Sequence, residues 1–219
     1  LKKEMPFSIL VTGLLLLFCM FSIGGGKGVL QIGRLEGLIL LLLFAGFLYM
    51  QIRSALKPRT VRPEEENIGR KLSPVRSIVY AVLGIAMIII GGELVVDSAS
   101  DIAAAFGMSQ TLIGLTIVAV GTSLPELVTS VVASTKGEND LAMGNVIGSN
   151  IFNILLIIGA SAAISPMTIS RESIYDGAML LVMSIILFVL AKKGEKISRG
   201  EAVLLLALYG GYTAYIIMR

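Results

Sequence analysis

Apolar residues gather in seven runs along the chain, at 6–21, 35–52, 77–96, 111–134, 141–163, 174–191 and 202–218. Runs of this length match a helix crossing the roughly 30 Å hydrocarbon layer of a bilayer. Short polar turns separate them, with one exception. Residues 53–76 form a charged connector that holds Pro58, Pro63, Pro74 and the run Glu64-Glu65-Glu66. The pattern predicts an all-α polytopic membrane protein with seven transmembrane helices, divided at the connector.

Composition agrees. Hydrophobic residues make up 55% of the 219, charged residues only 15%, and mean hydropathy is +0.88. A soluble domain carries nearer a quarter charged residues, so a water-soluble globular fold is excluded. Histidine is absent and Cys19 is the one cysteine. Disulfide frameworks and His/Cys metal sites are therefore excluded by count. Cys19 lies in an apolar run and reads as a small buried hydrophobe.

The basic residues are placed unevenly. If successive loops face alternate sides, 14 of the 18 Lys and Arg fall on one side, seven of them in the connector. Lys27, Arg34, Arg171 and Arg219 fall on the other. The positive-inside rule makes the first side cytoplasmic, which puts the N-terminus of this chain inside, in a prokaryotic inner or plasma membrane. The lipid bilayer is the expected surroundings, and no nucleic-acid partner or enzymatic activity is expected.

An internal repeat is also visible. Arg34-Leu35-Glu36-Gly37-Leu38 and the segment after it align with Arg199-Gly200-Glu201-Ala202-Val203 and its continuation. Upstream, Lys3-Glu4 aligns with Arg171-Glu172. The charge distribution puts the two copies on opposite sides, the pattern of an inverted-topology repeat. Residues 1–53 then correspond to the last two helices of a first repeat, 54–76 to a cytoplasmic connector, and 77–219 to a complete second repeat. On this reading the chain is the C-terminal piece of a longer protein, whose N-terminal repeat carries a second copy of the motif below.

The fourth run contains Gly121-Thr122-Ser123-Leu124-Pro125-Glu126. Ionisable residues at membrane depth are rare and usually mark an ion or substrate path. Pro125 has no N–H, so the carbonyl of Gly121 loses its helical partner. Thr122 and Ser123 lie four and three residues before Glu126 and share its face on a continuous helix. One carboxylate, two hydroxyls and freed carbonyls form an oxygen set. Six to eight oxygens suit calcium, and a smaller set suits sodium. A proline kink with satisfied hydroxyls is the alternative, but such a kink has no need of a glutamate.

The fifth run opens Gly144-Asn145-Val146-Ile147-Gly148-Ser149-Asn150-Ile151-Phe152-Asn153. Asn145, Ser149 and Asn153 are spaced by four and form one helical stripe. Gly144 and Gly148 permit close helix approach. Asn145 and Asn150 serve equally well as ligands or as hydrogen-bond glue, whereas Ser149 and Asn153 are read as ligands. Glu93 and Asp97 are expected at a solvated end of the third helix. Glu36, Asp176 and Glu201 are expected near helix starts, where a carboxylate suits the dipole.

The run from Ile113 to Glu126, followed by that from Gly144 to Asn153, resembles an α-repeat of the cation/calcium exchanger superfamily, and most resembles its prokaryotic sodium/calcium exchanger branch. The resemblance covers nearly the whole chain and puts the α-repeat at 109–163. It implies a ten-helix inverted-repeat fold with broken helices at the ion site, of which this chain holds helices four to ten. It also implies roles. Glu126 is the central carboxylate shared by Ca2+ and Na+, and Ala119 and Thr122 give backbone carbonyls. Ser123 and Ser149 bind sodium, and Asn153 sits at the central site, where some relatives carry aspartate. No cofactor is implied. The expected function is exchange of calcium for sodium by alternating access, with this chain supplying half of the ion site. A cation channel or uniporter, or a cation/proton antiporter, is the alternative, although the proton-coupled branch lacks this Thr-Ser pair. An intramembrane serine protease using Ser123 is rejected, because no histidine or intramembrane lysine is there to act as base.

Overall fold

The computed structural model describes residues 4–21, 30–56, 73–194 and 197–218. In chain order the elements are α1 (Glu4–Met20), β1 (Gln31–Ile32), α2 (Arg34–Ala55) and α3 (Pro74–Ala105). Then come α4 (Gln110–Ile113), a π-helical turn (Gly114–Val118), α5 (Ala119–Thr122), α6 (Leu124–Thr135) and α7 (Asn139–Phe152). A second π turn (Asn153–Ile158), α8 (Gly159–Ile164), β2 (Met167–Thr168), α9 (Arg171–Gly194) and α10 (Arg199–Met218) complete the chain. Most of the connector at 54–76, and with it much of the basic charge count, lies outside the described residues.

All seven apolar runs fall on helices. Five helices are long and apolar enough to cross a membrane, and six if the bent pair around Ser123 counts as one span. The chain is thus a multi-pass integral membrane protein. At 17 residues α1 is shorter, about 26 Å at the usual rise per residue.

Local signals explain where the helices start and stop. Ser73 caps α3 by accepting from Arg76 N at 3.4 Å, with Pro74 as first residue, where a missing N–H costs nothing. Glu36 caps α2, its Oε2 accepting from Gly33 N at 3.1 Å. Glu201 does the same for α10, accepting from Ser198 N at 2.7 Å while Ser198 Oγ accepts from Glu201 N at 3.3 Å. The two aligned repeat segments therefore share the glutamate half of the cap, and only the Ser198–Glu201 pair is reciprocal, because Gly33 has no side chain to accept from Glu36 N. Gly107 (φ 84°) and Gly137 (φ 81°) end α3 and α6. In each, paired bonds from two successive amides reach back to the last turn, Met108 N to Ala103 O at 3.1 Å and Glu138 N to Ala133 O at 2.9 Å, which is the Schellman closure that favours glycine.

Three expectations change. Helix α3 runs to Ala105, so Glu93 and Asp97 lie within it rather than at its end. Polar side chains do not stop a helix, and the first strong breaker is Gly107. Helix α9 starts at Arg171, so Glu172 and not Asp176 occupies its first turn. The fifth apolar run is not broken. Residues Asn139–Ile164 form one continuous span, and with no proline the irregularity is taken up by the π turn.

Contacts divide the chain into two compact units, residues 1–57 with 133–208, and 58–132 with 209–219. In the first, α1 packs on α7 and α9, and α2 on α8 and the second π turn. Val11, Leu40, Ile151 and Leu155 are fully buried between them. Helices α2 and α8 approach closely at glycine: a β-carbon on Gly37 would lie 2.5 Å from Ala163 N and 2.7 Å from Gly159 O. The two short strands pair antiparallel, Gln31 with Thr168 and Ile32 with Met167, and Ile169 N extends the ladder to Leu30 O at 2.8 Å. In the second unit, α3 packs against α4, the first π turn and α5.

Candidate functional site: an oxygen cluster at a break in an apolar helix

The break is built step by step from Ser109, which caps α4 through Leu112 N at 3.2 Å. The π turn follows, and such turns recur at functional sites. Within it Thr116 Oγ1 donates to Leu112 O at 2.6 Å. After α5 the chain turns at Ser123 (φ −94°, ψ 0°), whose N–H reaches Val120 O at 3.1 Å, three residues back. Leu127 N to Ser123 O at 3.0 Å restarts regular bonding. The axes on either side differ by 48°. Pro125 accounts for the location, since it has no amide to offer Gly121 O.

This break corrects the idea that Thr122, Ser123 and Glu126 line one continuous helical face. Instead both hydroxyls converge on one carbonyl. Thr122 Oγ1 donates to Ala119 O at 3.1 Å, and Ser123 Oγ to the same oxygen at 3.4 Å. A hydroxyl that gives its proton to a carbonyl keeps its lone pairs for another donor or a cation. Ala119, Thr122 and Ser123 are exposed residues. Glu126 lies in the first turn of α6 and is half-buried, with Oε2 shielded from solvent. Beyond it, Thr129 Oγ1 donates to Pro125 O at 2.7 Å.

Ser149 and Asn153 belong to the other unit. They lie one turn apart at the end of α7 and the start of the second π turn. Ser149 Oγ donates to Val146 O at 3.1 Å, which again leaves its lone pairs available, and Asn153 is exposed. Asn150 is engaged elsewhere: its Nδ2 donates to Ser8 Oγ of α1 at 3.3 Å. That contact is of the hydrogen-bond glue kind. Ser8 gave no earlier signal, because one serine in an apolar run has many possible partners.

Among the described residues, no group of three or more His, Cys, Asp or Glu could hold a metal ion. The donors near the break are hydroxyls, carbonyls and one carboxylate. Neutral oxygens of this kind suit hard cations.

Apolar spans with an oxygen-bearing break inside one of them define an integral membrane protein of the transport class. The family model for sodium/calcium exchanger protein matches residues 76–218. The chain is 36% identical over 220 residues to the putative antiporter CaxA of Alkalimonas amylolytica, covering 97% of this chain and 66% of that protein. It is 34% identical to the inner membrane protein YrbG of Escherichia coli, covering 100% and 66%. Over a shorter stretch, 61% of this chain and 39% of the relative, it is 41% identical to the sodium/calcium exchanger MaX1 of Methanosarcina acetivorans. A solved structure of the sodium-calcium exchanger NCX_Mj superposes with a TM-score of 0.74 at 31% identity, covering 97% of this chain and 65% of that one. The chain therefore belongs to the sodium/calcium exchanger family, a family of transporters rather than enzymes. It spans about two thirds of the length of these relatives, 66% of CaxA and 65% of NCX_Mj.

Proposed function

We propose that the protein is a secondary antiporter that exchanges Ca2+ for Na+, and that Ala119, Thr122, Ser123, Glu126, Ser149 and Asn153 supply ion-binding oxygens. The observation that carries this is the break at Ser123. It gathers two hydroxyls on the Ala119 carbonyl one turn ahead of Glu126, within an otherwise apolar helix. Family membership and the likeness to NCX_Mj support the choice of ions.

The chemistry is competition. One calcium or a set of sodium ions draws on the same oxygens, so occupancy by one excludes the other. Exposure to alternate sides then couples the two fluxes. Asn153 contributes an amide oxygen without charge, so Glu126 is the only charge among the six donors. A second carboxylate, from a second copy of the motif, would complete the neutralisation of one Ca2+. In this reading the chain holds half of the site, with seven spans of a ten-helix inverted repeat in a prokaryotic inner membrane. Helix α1 then counts as a span despite its length.

The test is labelled-calcium flux in proteoliposomes of the protein expressed from its native gene. Uptake should follow an opposing sodium gradient. Flux indifferent to sodium would mean a channel or uniporter, and flux driven by a proton gradient alone would mean proton coupling. Sodium-driven uptake by residues 1–219 expressed by themselves would overturn the half-site.

A further inference from the structure

Gly121 opens the break, and its bare α-carbon is covered by one side chain. A β-carbon placed there would run into the Val96 isopropyl group of α3, with Val96 Cγ2 as the nearest atom. Gly121 is buried although its neighbours Val120 and Thr122 are exposed. Both residues lie in the second unit, where α3 packs along α4, the first π turn and α5. Val96, Ser100 and Ala103 follow helical spacing on α3. Ala103 is buried, and Ser100 Oγ is shielded with no hydrogen-bond partner among the described residues. This stripe is the packed side of α3, while Glu93, Asp97 and Asp101 are exposed.

We infer that Val96 is a positioning residue for the ion site: its isopropyl group seats in the notch at Gly121 and sets where Ala119 O, Thr122 Oγ1 and Ser123 Oγ lie. The inference rests on the ion-binding reading of those oxygens. The geometry is direct. Thr122 follows Gly121, and both hydroxyls hang on Ala119 O two residues before it. A shift of α5 against α3 moves all three oxygens together. The contact is tight on one side only, because glycine has no side chain to yield. Packed interiors pass on such a mismatch rather than absorb it. Val96 touches no ion in this scheme. It determines the affinity of a cluster one residue away.

The test is a double-mutant cycle on the protein expressed from its native gene, with Gly121→Ala, Val96→Ala and the pair. Two quantities are measured: the KM for Ca2+ in proteoliposome flux, and the rise in Tm on adding Ca2+ in detergent. Gly121→Ala should raise KM about tenfold or more, since an ångström of misplacement costs up to about a hundredfold. Val96→Ala empties the notch and should raise KM as well, by about threefold, because the turn loses its seat. The double variant should recover most of the loss, because the new methyl takes the space vacated by the isopropyl group. Effects on KM that simply multiply would overturn the inference. Coupling in ion-free Tm without coupling in KM or in the Ca2+-induced rise would make Val96 a packing residue only, and would overturn it too. A parent that neither moves Ca2+ nor gains Tm from it would instead refute the ion-site reading. In that event the ion-free Tm cycle still reports whether the seat exists.

Discussion

Glu126 differs from the other acidic residues in what surrounds it. Glu36 and Glu201 each spend an oxygen on the amide three residues earlier, at 3.1 and 2.7 Å, and both begin helices. Glu126 follows a break inside an apolar helix, beside hydroxyls whose protons already go to Ala119 O. Glu126→Gln keeps the shape and removes the charge. It is expected to weaken calcium affinity by about two orders of magnitude, the usual scale for unpairing a desolvated charge. Isothermal binding or the Ca2+ dependence of flux checks this. Thr122→Val removes one neutral donor and should cost about tenfold in the same assay, in line with about 1 kcal/mol for such a bond. These residues were legible because a carboxylate and paired hydroxyls stand out in an apolar run. Their convergence on Ala119 O was not. Face arguments assume unbroken helical periodicity, and Pro125 removes that periodicity at the very place it was being applied.

At the scale of elements, the acidic helix starts were legible and the irregular turns were not. Glu36 and Glu201 mark starts through chemistry confined to a few residues. The π turns at Gly114–Val118 and Asn153–Ile158 depend on packing against other helices and leave no local signature. The end of α3 was misplaced for a related reason. Hydropathy reports where a helix leaves apolar surroundings, not where its hydrogen bonds stop. Two changes in the first unit should reduce stability without touching an ion ligand. Glu36→Ala leaves Gly33 N–H short of its acceptor beside a fully buried position, at a cost of about 1–3 kcal/mol. Gly37→Ala drives a methyl against Ala163 N and Gly159 O, and overpacking of this kind costs about 1–3 kcal/mol. Thermal unfolding in detergent should show both as a lower Tm, with calcium affinity unchanged in the folded fraction.

For the whole molecule, hydropathy located the five long spans, the bent pair and the shorter α1, and the basic residues suggest an orientation. Single cysteines at Lys136 and Arg171, in a Cys19→Ser background, check it with an impermeant maleimide on intact cells. Labelling at 171 and not at 136 is the expected result. Division by contact was not legible, because hydropathy identifies helices without saying which will pair. The connector at 54–76 splits the sequence, yet α1 and α2, which precede it, bury Val11 and Leu40 against Ile151 and Leu155, which follow it. The ladder of β1 with β2 and the Gly37–Gly159 approach tie the same partners. The chain is thus tied together across the connector that divides its sequence. A gene split at the connector should yield two fragments that purify together through several helices' worth of shared interior. Either fragment expressed alone would present that interior to lipid and to cellular quality control. Inheritance as two separate genes is then mechanically permissible, but loss of either one is not.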